Sequence, residues 1–346
     1  MNSHFPAKQS RQPSALPVVS GEGKPRSVAI GGVIVAALAA TALVNHRLAK
    51  KAERDNPPLG RFIEVESARL HVLERGEGPP LVMLHGNGTM IEDFVSSGLL
   101  DLAARDHRVI AFDRPGFGHS ERPRTTVWRP AAQADLIGAA LEQFGVSGAI
   151  VLGHSWGCAV AVELGRRRPD LVSGLVLVSG YYYPTARVDV PGLALPSVPV
   201  VGDILRYTVS PLIARAMWPL TARAMFGPAP VPGKFAEFPK EMIFRPSQIR
   251  AGAAEAALMV PGAAFAAPYS DLKLPVAIIA GQEDRVVDID AQSARLHAQL
   301  PQSTFDRVPA AGHMVHQTAP EAVMTAIERC AASGAAAKPV ALHSAA

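Results

Sequence analysis

The hydrophobic pattern divides the 346-residue chain into stretches of different character. Residues 1–26 are rich in Pro, Ser, Gln and basic side chains and show no hydrophobic period, which predicts a disordered arm. Residues 27–44, about 18 positions, then run without a charge. At about 1.5 Å per residue this stretch nearly spans a hydrocarbon core of about 30 Å. The pattern therefore predicts a single-pass membrane anchor over residues 27–45.

Two other interpretations of this apolar stretch stay open. The first is a cleaved signal peptide, with Ala37-Leu38-Ala39 as the cleavage site, although the long preceding region argues against it. The second is a helix buried in the protein. Basic residues flank both ends almost equally, so the side of the membrane on which the downstream domain lies stays undecided. The tighter cluster after the stretch favours the cytoplasm. Residues 46–60, which end near Asn56-Pro57-Pro58, predict a charged linker.

Strand and helix patterns alternate from Arg61 onward. Residues 61–75 alternate apolar and polar positions, which predicts an antiparallel pair. Continuous apolar runs follow, and between them lie helical patterns near residues 131–144, 291–300 and 320–330. The apolar runs cover residues 80–84, 107–113, 150–152, 175–179, 275–280 and 304–308. Such runs are typical of a parallel sheet with both faces covered, so we expect an α/β fold with a mainly parallel eight-stranded sheet flanked by helices.

The alternation stops between residues 181 and 270. This stretch holds 13 of the 30 prolines, and its helical patterns are short, near residues 204–217, 219–226 and 249–259. It predicts an inserted helical cap, a lid over a core built from residues 61–180 and 271–330. Residues 331–346 are of low complexity and predict a disordered tail.

Composition excludes some classes of function. The net charge is +4 and the basic residues form no long run, so a nucleic-acid partner is not expected. The two cysteines, Cys158 and Cys330, are far apart, which fits neither a disulfide framework nor metal-ligand spacing. We interpret both as reduced thiols.

The chemistry of the chain centres on residues 149–157, AIVLGHSWG. An apolar strand leads into Gly-His-Ser-Trp-Gly, and a helical pattern follows at once, which is the context required by the G-x-S-x-G motif. A side chain at Gly153 or Gly157 would collide with the adjacent strand or helix in such a turn. Ser155 is therefore the candidate nucleophile, the alternative being an ordinary strand-to-helix turn.

Five motifs in fixed order resemble the α/β-hydrolase fold family over about residues 61–330. They are HGNG at 85–88, DRPGFGHS at 113–120, GHSWG at 153–157, GQEDRVV at 281–287 and AAGHMVH at 310–316. The resemblance implies a catalytic triad of Ser155, Asp284 and His313. It also implies an oxyanion hole made by the backbone N–H groups of Asn87 and Trp156, with the Asn87 side chain as an additional donor. No metal or organic cofactor is required.

The residues themselves leave alternatives to two members of this triad. Asp284 follows a predicted strand, where α/β sites assemble, but Glu283 and Asp288 are competing acids. His313 follows the last strand, and His316 competes with it. We expect His85 to hydrogen-bond within its own loop and shape it.

The predicted reaction is hydrolysis of a carboxylic ester through an acyl-enzyme on Ser155, with a lipophilic, apolar ester as the small-molecule substrate. Tyr181, Tyr182, Tyr183, Trp218 and Phe226 suggest an apolar pocket roof or, equally, the core of the cap. Alternatives are C–C bond hydrolysis, amide cleavage, perhydrolysis and a non-catalytic ligand-binding protein. The HGN sequence also resembles that of haloalkane dehalogenases.

Those dehalogenases, however, carry an aspartate nucleophile where this chain has Ser155, which argues against dehalogenation and epoxide opening. Cys158, close after the motif, is expected to pack within its helix rather than to serve as a second nucleophile.

Overall fold

A computed structural model describes Met1 and residues 24–66, 68–184, 190–264 and 268–337. Its described part divides into two compact units, Met1–Ala40 and Thr41–Ala346. The second unit is built on eight strands that form one sheet. The strands are β1 (Arg61–Val65), β2 (Ala68–Arg75), β3 (Pro80–Leu84), β4 (Arg108–Phe112), β5 (Ala149–His154), β6 (Val172–Val178), β7 (Val276–Gly281) and β8 (Ser303–Val308).

The strands lie in the order β1-β2-β4-β3-β5-β6-β7-β8. β1 pairs with β2, and β2 with β4, in antiparallel register; all other neighbours are parallel. β5 and β7 are buried at every position, which explains their continuous apolar sequences. The predicted mainly parallel, eight-stranded sheet is confirmed.

Helices cover the sheet and build the cap. They are α1 (Lys24–Asp55), α2 (Ile91–Ser97), α3 (Leu99–Ala103), α4 (Pro130–Gln143), α5 (Trp156–Arg167), α6 (Val190–Ala194), α7 (Val201–Tyr207), α8 (Ser210–Phe226), α9 (Lys240–Ile243), α10 (Pro246–Ala264), α11 (Arg295–Gln299), α12 (Val315–Thr318) and α13 (Pro320–Ala337). One hydrophobic cluster packs α4 and α5 on one face of the sheet, and another packs α2, α3 and α13 on the other.

The described cap runs from α6 to α10 and includes the short 3-10 helices Leu195–Ser197 and Gly233–Glu237. The expected break before Pro219 is wrong, because Pro219 lies inside the continuous helix α8. Proline removes one backbone hydrogen bond from a helix. Burial of Ala222 and Phe226 on the following turns keeps the helix intact, since these residues anchor it to the rest of the protein.

Helix α1 corrects the bounds of the predicted linker, because residues 46–55 belong to the helix. Ion pairs at helical spacing, Lys50 with Glu53 and Lys51 with Asp55, favour this continuation. Asn45 and Ala52 are buried on the same helix, so its second half also gains tertiary contacts. Only residues 56–60 connect it to β1.

The ends of the chain differ from the expectation in a similar way. α13 continues to Ala337, so the first part of the predicted disordered tail is helical; residues 338–346 lie outside the described residues. α1 begins at Lys24, within the predicted arm, and residues 2–23 are outside the described residues.

Among the described residues, one helix is long and apolar enough to cross a membrane. It covers Ala29–Asp55, and an 18-residue window within it has a mean hydropathy of 1.8. A membrane anchor and a signal sequence share this length and composition near an N-terminus.

Candidate active site

Ser155 occupies a strained turn between β5 and α5. Its backbone has φ 52° and ψ −118°, a left-handed conformation that non-glycine residues rarely adopt. The flanking glycines allow the chain to pass here, since a Cβ at Gly157 would lie 2.2 Å from the Leu84 carbonyl oxygen. A Cβ at Gly153 would lie 2.6 Å from the Cys158 nitrogen. The sequence pattern therefore corresponds to a sharp, crowded strand-to-helix turn.

Asp284 and His313 come from separate segments and lie within hydrogen-bonding distance. His313 Nδ1 is 2.8 Å from Asp284 Oδ2, and both side chains are almost completely buried. The other carboxylate oxygen, Oδ1, accepts the backbone N–H groups of Val286 and Val287 at 2.8 and 3.0 Å. These two bonds orient the carboxylate, so that its second oxygen faces the imidazole.

The competing acids have other positions. Asp288 is exposed, and its Oδ1 accepts the backbone N–H groups of Asp290 and Ala291, both at 2.9 Å. It therefore caps the short π-helix Asp290–Ala294. Glu283 is exposed. Of the three acids considered from the sequence, Asp284 is the one that the structure brings to His313.

The loop that carries His313 is held from two sides. Its backbone N–H donates to the Met225 carbonyl in the last turn of α8 at 2.9 Å. From the core, His154 Nε2 lies 3.3 Å from the His313 carbonyl oxygen. Because His154 precedes Ser155 in the chain, the Ser155 turn and the His313 loop are connected directly.

His316 belongs to a different, fully buried group. His316 Nε2 lies 3.1 Å from Asp93 Oδ2, and its ring centroid is 4.2 Å from that of His154. Gln317 Nε2 donates to Asp93 Oδ1 at 2.8 Å. The donor atoms of Asp93, His154 and His316 lie within 4.8 Å of one another, which would also suit a metal ion.

The charge states follow from the surroundings of this group. Burial, and next the charges of His316 and His313, holds the pKa of His154 well below its ordinary value, so His154 is neutral. Burial alone would raise the pKa of Asp93, but His316 and Gln317 lower it overall. Sequence reasoning considered His316 only as a rival of His313 and missed Asp93, because Asp93 precedes it by more than 200 positions.

The two expected oxyanion donors differ in what surrounds them. Trp156 is the first residue of α5, so its backbone N–H has no acceptor within the helix. The Asn87 side chain is already engaged, since its Nδ2 donates to the Gly252 carbonyl of α10 at 3.2 Å. Gly88 has φ +75°, which lets the loop turn sharply after Asn87.

His85 is fixed in its loop, as the sequence interpretation expected. Its Nε2 accepts the Arg114 backbone N–H at 3.0 Å, so Nδ1 carries the proton and donates to the Gly86 carbonyl at 2.7 Å. Burial, and then the charge of Arg114, lowers the pKa of His85 to about 3. The ring is neutral and structural.

Arg114 also joins this loop to the cap. Its guanidinium donates to the carbonyls of His85 and Gly86 at 2.7 and 2.9 Å and pairs with Glu255 of α10. Both side chains of the pair are fully buried. The sequence suggested only that the Arg114 loop packs near the pocket, and nothing in it singled out Glu255.

The remaining candidates are packing residues. Cys158 is buried and donates to the Gly153 carbonyl at 3.0 Å, and burial raises its pKa to about 12. Tyr182 and Tyr183 belong to the sheet core. Trp218 and Phe226 belong to an aromatic cluster inside the cap. The contacts of Trp218 and Phe226 match the cap-core interpretation, whereas Tyr182 and Tyr183 pack in the core of the sheet and not in the cap.

Comparisons with known proteins identify the fold family. The family model described as "alpha/beta hydrolase fold" matches residues 79–320. Haloalkane dehalogenase 2 of Mycobacterium tuberculosis is 28% identical over 77% of this chain and 93% of its own. 2-Hydroxymuconate semialdehyde hydrolase of a Pseudomonas species is 32% identical over 38% of this chain and 48% of its own.

Solved structures show the same fold at lower identity. A thermophilic esterase from Thermogutta terrifontis has a TM-score of 0.64 at 21% identity, covering 80% of this chain and 99% of its own. The structure of a membrane phospholipase A has a TM-score of 0.62 at 21% identity, and the match covers 90% of this chain and 99% of its own. With the Ser155 turn, the sheet order and the family match together, the chain belongs to the α/β-hydrolase fold family and is a hydrolase.

Proposed function

We propose that the protein is a membrane-anchored serine hydrolase that cleaves a lipophilic carboxylic ester through an acyl-enzyme on Ser155. The observation that carries the proposal is the 2.8 Å contact between His313 Nδ1 and Asp284 Oδ2. Ser155 stands at positive φ directly after His154, whose Nε2 lies 3.3 Å from the His313 carbonyl oxygen. A serine hydroxyl is a weak nucleophile, so it needs an imidazole whose tautomer a carboxylate controls. This chain supplies all three groups.

In the first half of the reaction, His313 takes the Ser155 proton and the serine oxygen attacks the ester carbonyl. Asp284 stabilises the imidazolium that forms. The N–H groups of Trp156 and Asn87 bind the oxyanion, and the positive end of the α5 dipole adds to its stabilisation. Collapse of the tetrahedral intermediate expels the alcohol, which takes its proton from His313.

In the second half, water replaces the alcohol. His313 removes a proton from the water as it attacks the acyl carbonyl, and the second oxyanion occupies the same site. Collapse then breaks the bond to Ser155, returns the proton to its oxygen and releases the acid. Each step uses only side chains and backbone groups of this chain.

One relative is a haloalkane dehalogenase, but dehalogenation does not suit a serine nucleophile. Displacement of a halide by a carboxylate gives an ester, which water can hydrolyse. Displacement by Ser155 would give an ether, which has no carbonyl for water to attack. The enzyme would stop after one turnover, so we propose attack at a carbonyl carbon instead.

Hydrolysis of a C–C bond next to a carbonyl is the second candidate. The observation that favours it is the 32% identity to 2-hydroxymuconate semialdehyde hydrolase, although the match covers less than half of that protein. The same serine, imidazole and oxyanion donors would serve, with a carbanion in place of the alcohol as leaving group.

The membrane anchor is the part of the proposal that sets the substrate's polarity. Residues 27–45 are proposed to cross the bilayer, since the helix that contains them has the required length and hydropathy. An enzyme tethered at a bilayer meets substrates that partition into it, which favours an ester with an apolar acyl chain.

The test is turnover of p-nitrophenyl esters of graded acyl length by the full chain in detergent, beside Ser155→Ala. We expect turnover that is lost in the variant and an optimum at medium or long acyl chains. Covalent labelling by a fluorophosphonate probe at Ser155 gives an independent readout of the nucleophile.

Other results would favour a different reaction or contradict the serine mechanism. Labelling of Ser155 without ester turnover would favour the C–C reaction, which a vinylogous diketone substrate would then reveal. Ester turnover that persists in Ser155→Ala, or a complete lack of labelling in a folded protein, would contradict the serine mechanism. The latter would favour a ligand-binding role.

A further inference from the structure

Large apolar side chains are exposed along one part of the cap. Within residues 193–220, twelve of them are between 38% and 70% exposed, a density unusual for a surface that faces water. They are Leu193, Leu195, Val198, Val200, Val201, Ile204, Tyr207, Val209, Leu212, Ile213, Met217 and Leu220. We call these side chains the apolar cap surface.

The apolar cap surface lies on elements that pack beside one another. α7 contacts both the 3-10 helix Leu195–Ser197 and α8. On α8, Ile213, Met217 and Leu220 follow the spacing of one helix face, whereas Ala222 and Phe226 are buried on the other face. The exposed face is therefore the one turned away from the cap interior.

Helix α1 ties this surface to the end of the proposed anchor. Asn45, the residue after the uncharged stretch, is buried, and its Nδ2 donates to the carbonyls of Thr208 and Tyr207 at 2.7 and 3.0 Å. Its Oδ1 accepts Arg215 Nη1 at 3.3 Å. The junction of α7 and α8 thus lies within hydrogen-bonding distance of the point where the membrane-spanning sequence ends.

A basic cleft borders the apolar cap surface. Arg206 and Tyr207, which line this cleft, belong to α7, the helix that also carries part of the apolar cap surface. Four further arginines, Arg122, Arg124, Arg245 and Arg250, line the cleft together with Glu53 and Glu121. Arg245 is buried and pairs with Glu53, and Asp203 pairs with Arg124 and Arg206, so part of the positive charge is already balanced. Burial lowers the pKa of Arg250, and the charges of Arg124 and Arg206 lower it further, whereas the charge of Asp203 opposes them. Guanidinium groups beside exposed apolar side chains complement the anionic head groups and acyl chains of a bilayer.

The apolar cap surface also leads to the candidate active site. The last turn of α8 carries the Met225 carbonyl that accepts the His313 N–H at 2.9 Å. Gly312 is packed equally closely, since a Cβ there would lie 2.4 Å from the Gly227 carbonyl oxygen. One end of the exposed helix is thus part of the support of His313.

We propose that the apolar cap surface docks onto an anionic lipid bilayer, with the basic cleft on the head groups, so that the lipophilic substrate enters the cap from the membrane. This inference rests on the proposed membrane anchor and deepens the proposed function. It identifies the cap, and not only α1, as a membrane-binding element.

The first experiment measures lipid contact in the full chain reconstituted into phosphatidylglycerol–phosphatidylcholine vesicles. An environment-sensitive fluorophore is attached to Ile213→Cys and, as the control, to Thr325→Cys on the exposed side of α13. The native thiols are buried and do not compete for the label. We expect blue-shifted emission and quenching by spin-labelled lipids at position 213, with neither at position 325.

Three results would overturn the docking proposal. Equal quenching at positions 213 and 325 would mean that the surface has no preference for lipid. A blue shift at 213 that resists lipid quenching and grows with protein density would assign the surface to a second copy of the chain instead. Failure of the chain to float with the vesicles would remove the anchor itself.

The second experiment measures the consequence for activity. The triple variant Ile213→Ser, Met217→Ser, Leu220→Ser changes only exposed side chains, so its turnover of a soluble short-chain ester should stay within about twofold of the natural protein. Its turnover of a vesicle-borne ester should fall about tenfold or more. Arg250→Gln should weaken the preference for anionic over neutral vesicles, and the exposed control Arg329→Gln should not. Equal losses on both substrates would contradict docking.

The docking experiment and the test of the nucleophile fail independently. Ser155→Ala should retain the lipid contact at position 213, because docking needs no chemistry. Lipid contact without ester turnover would leave docking supported and the esterase proposal refuted, and ester turnover without lipid contact would mean the reverse.

Discussion

Arg114 and Glu255 form a fully buried ion pair between the loop after β4 and helix α10 of the cap. Arg114 Nη2 lies 3.1 Å from Glu255 Oε2, and the same guanidinium donates to the carbonyls of His85 and Gly86. Gln133 completes the group, with its Nε2 2.9 Å from Glu255 Oε1. The pair therefore holds the loop that carries Asn87 against the cap.

Loss of Glu255 should cost stability. Glu255→Gln leaves a buried guanidinium without its counter-charge, so we expect the free energy of unfolding to fall by about 3–5 kcal/mol. Asp135→Asn, which breaks an exposed pair with Arg167, is the matched control and should cost less than about 1 kcal/mol. Denaturant unfolding of both variants measures the difference, and similar costs would argue against a buried clamp.

Replacement of Asp284 should show that its carboxylate fixes the tautomer of His313. In Asp284→Asn the backbone bonds from Val286 and Val287 can persist, but the amide cannot accept the His313 Nδ1 proton, so the wrong tautomer is favoured. We expect kcat for esters to fall about ten-thousandfold with little loss of stability. Asp288→Asn, which changes only a helix cap, should keep kcat within about tenfold and cost little stability, because asparagine caps a helix about as well as aspartate. Comparable losses of kcat would reassign the acid.

Glu92 should make stability depend on pH. Burial, and then the charge of Asp113, raises its pKa from 4.5 to about 8. The folded state thus keeps a proton that the unfolded chain releases, and this stabilisation is fully present below pH 4.5 and lost as the pH rises to 8. Over that window the slope approaches about 1.4 kcal/mol per pH unit.

Glu92→Gln should remove that contribution. The variant should gain stability relative to the natural protein as pH increases from 5 to 9, whereas Glu77→Gln on an exposed turn should not. Denaturant midpoints across this range are the measurement. Parallel pH profiles for the natural protein and Glu92→Gln would show that Glu92 ionises normally in the folded state.

Thiol reagents should leave the enzyme active. Burial raises the pKa of Cys158 to about 12 and that of Cys330 to about 11, so neither presents a thiolate at neutral pH. We expect iodoacetamide to label neither residue in the folded protein, as read by mass spectrometry. Modification of Cys158 with parallel loss of turnover would place a reactive thiol beside Ser155.

The sequence alone determined the parts of this protein that depend on local pattern. Apolar runs locate the strands of a parallel sheet because both faces of such strands are buried. The Gly-His-Ser-Trp-Gly turn is legible for a related reason, since only glycine allows the close approach of Leu84 to Gly157.

Tertiary structure decided which residues from distant segments meet. Asp284 and Asp288 are equivalent as acids in the sequence, yet one faces His313 and the other caps a helix. Glu255 stands 141 positions from Arg114, and no spacing rule connects them. The continuation of α1 and the placement of Asn45 at the α7–α8 junction likewise depend on packing. Local propensities describe each segment by itself, but burial of charge and hydrogen-bond partners is settled only when the segments are packed together.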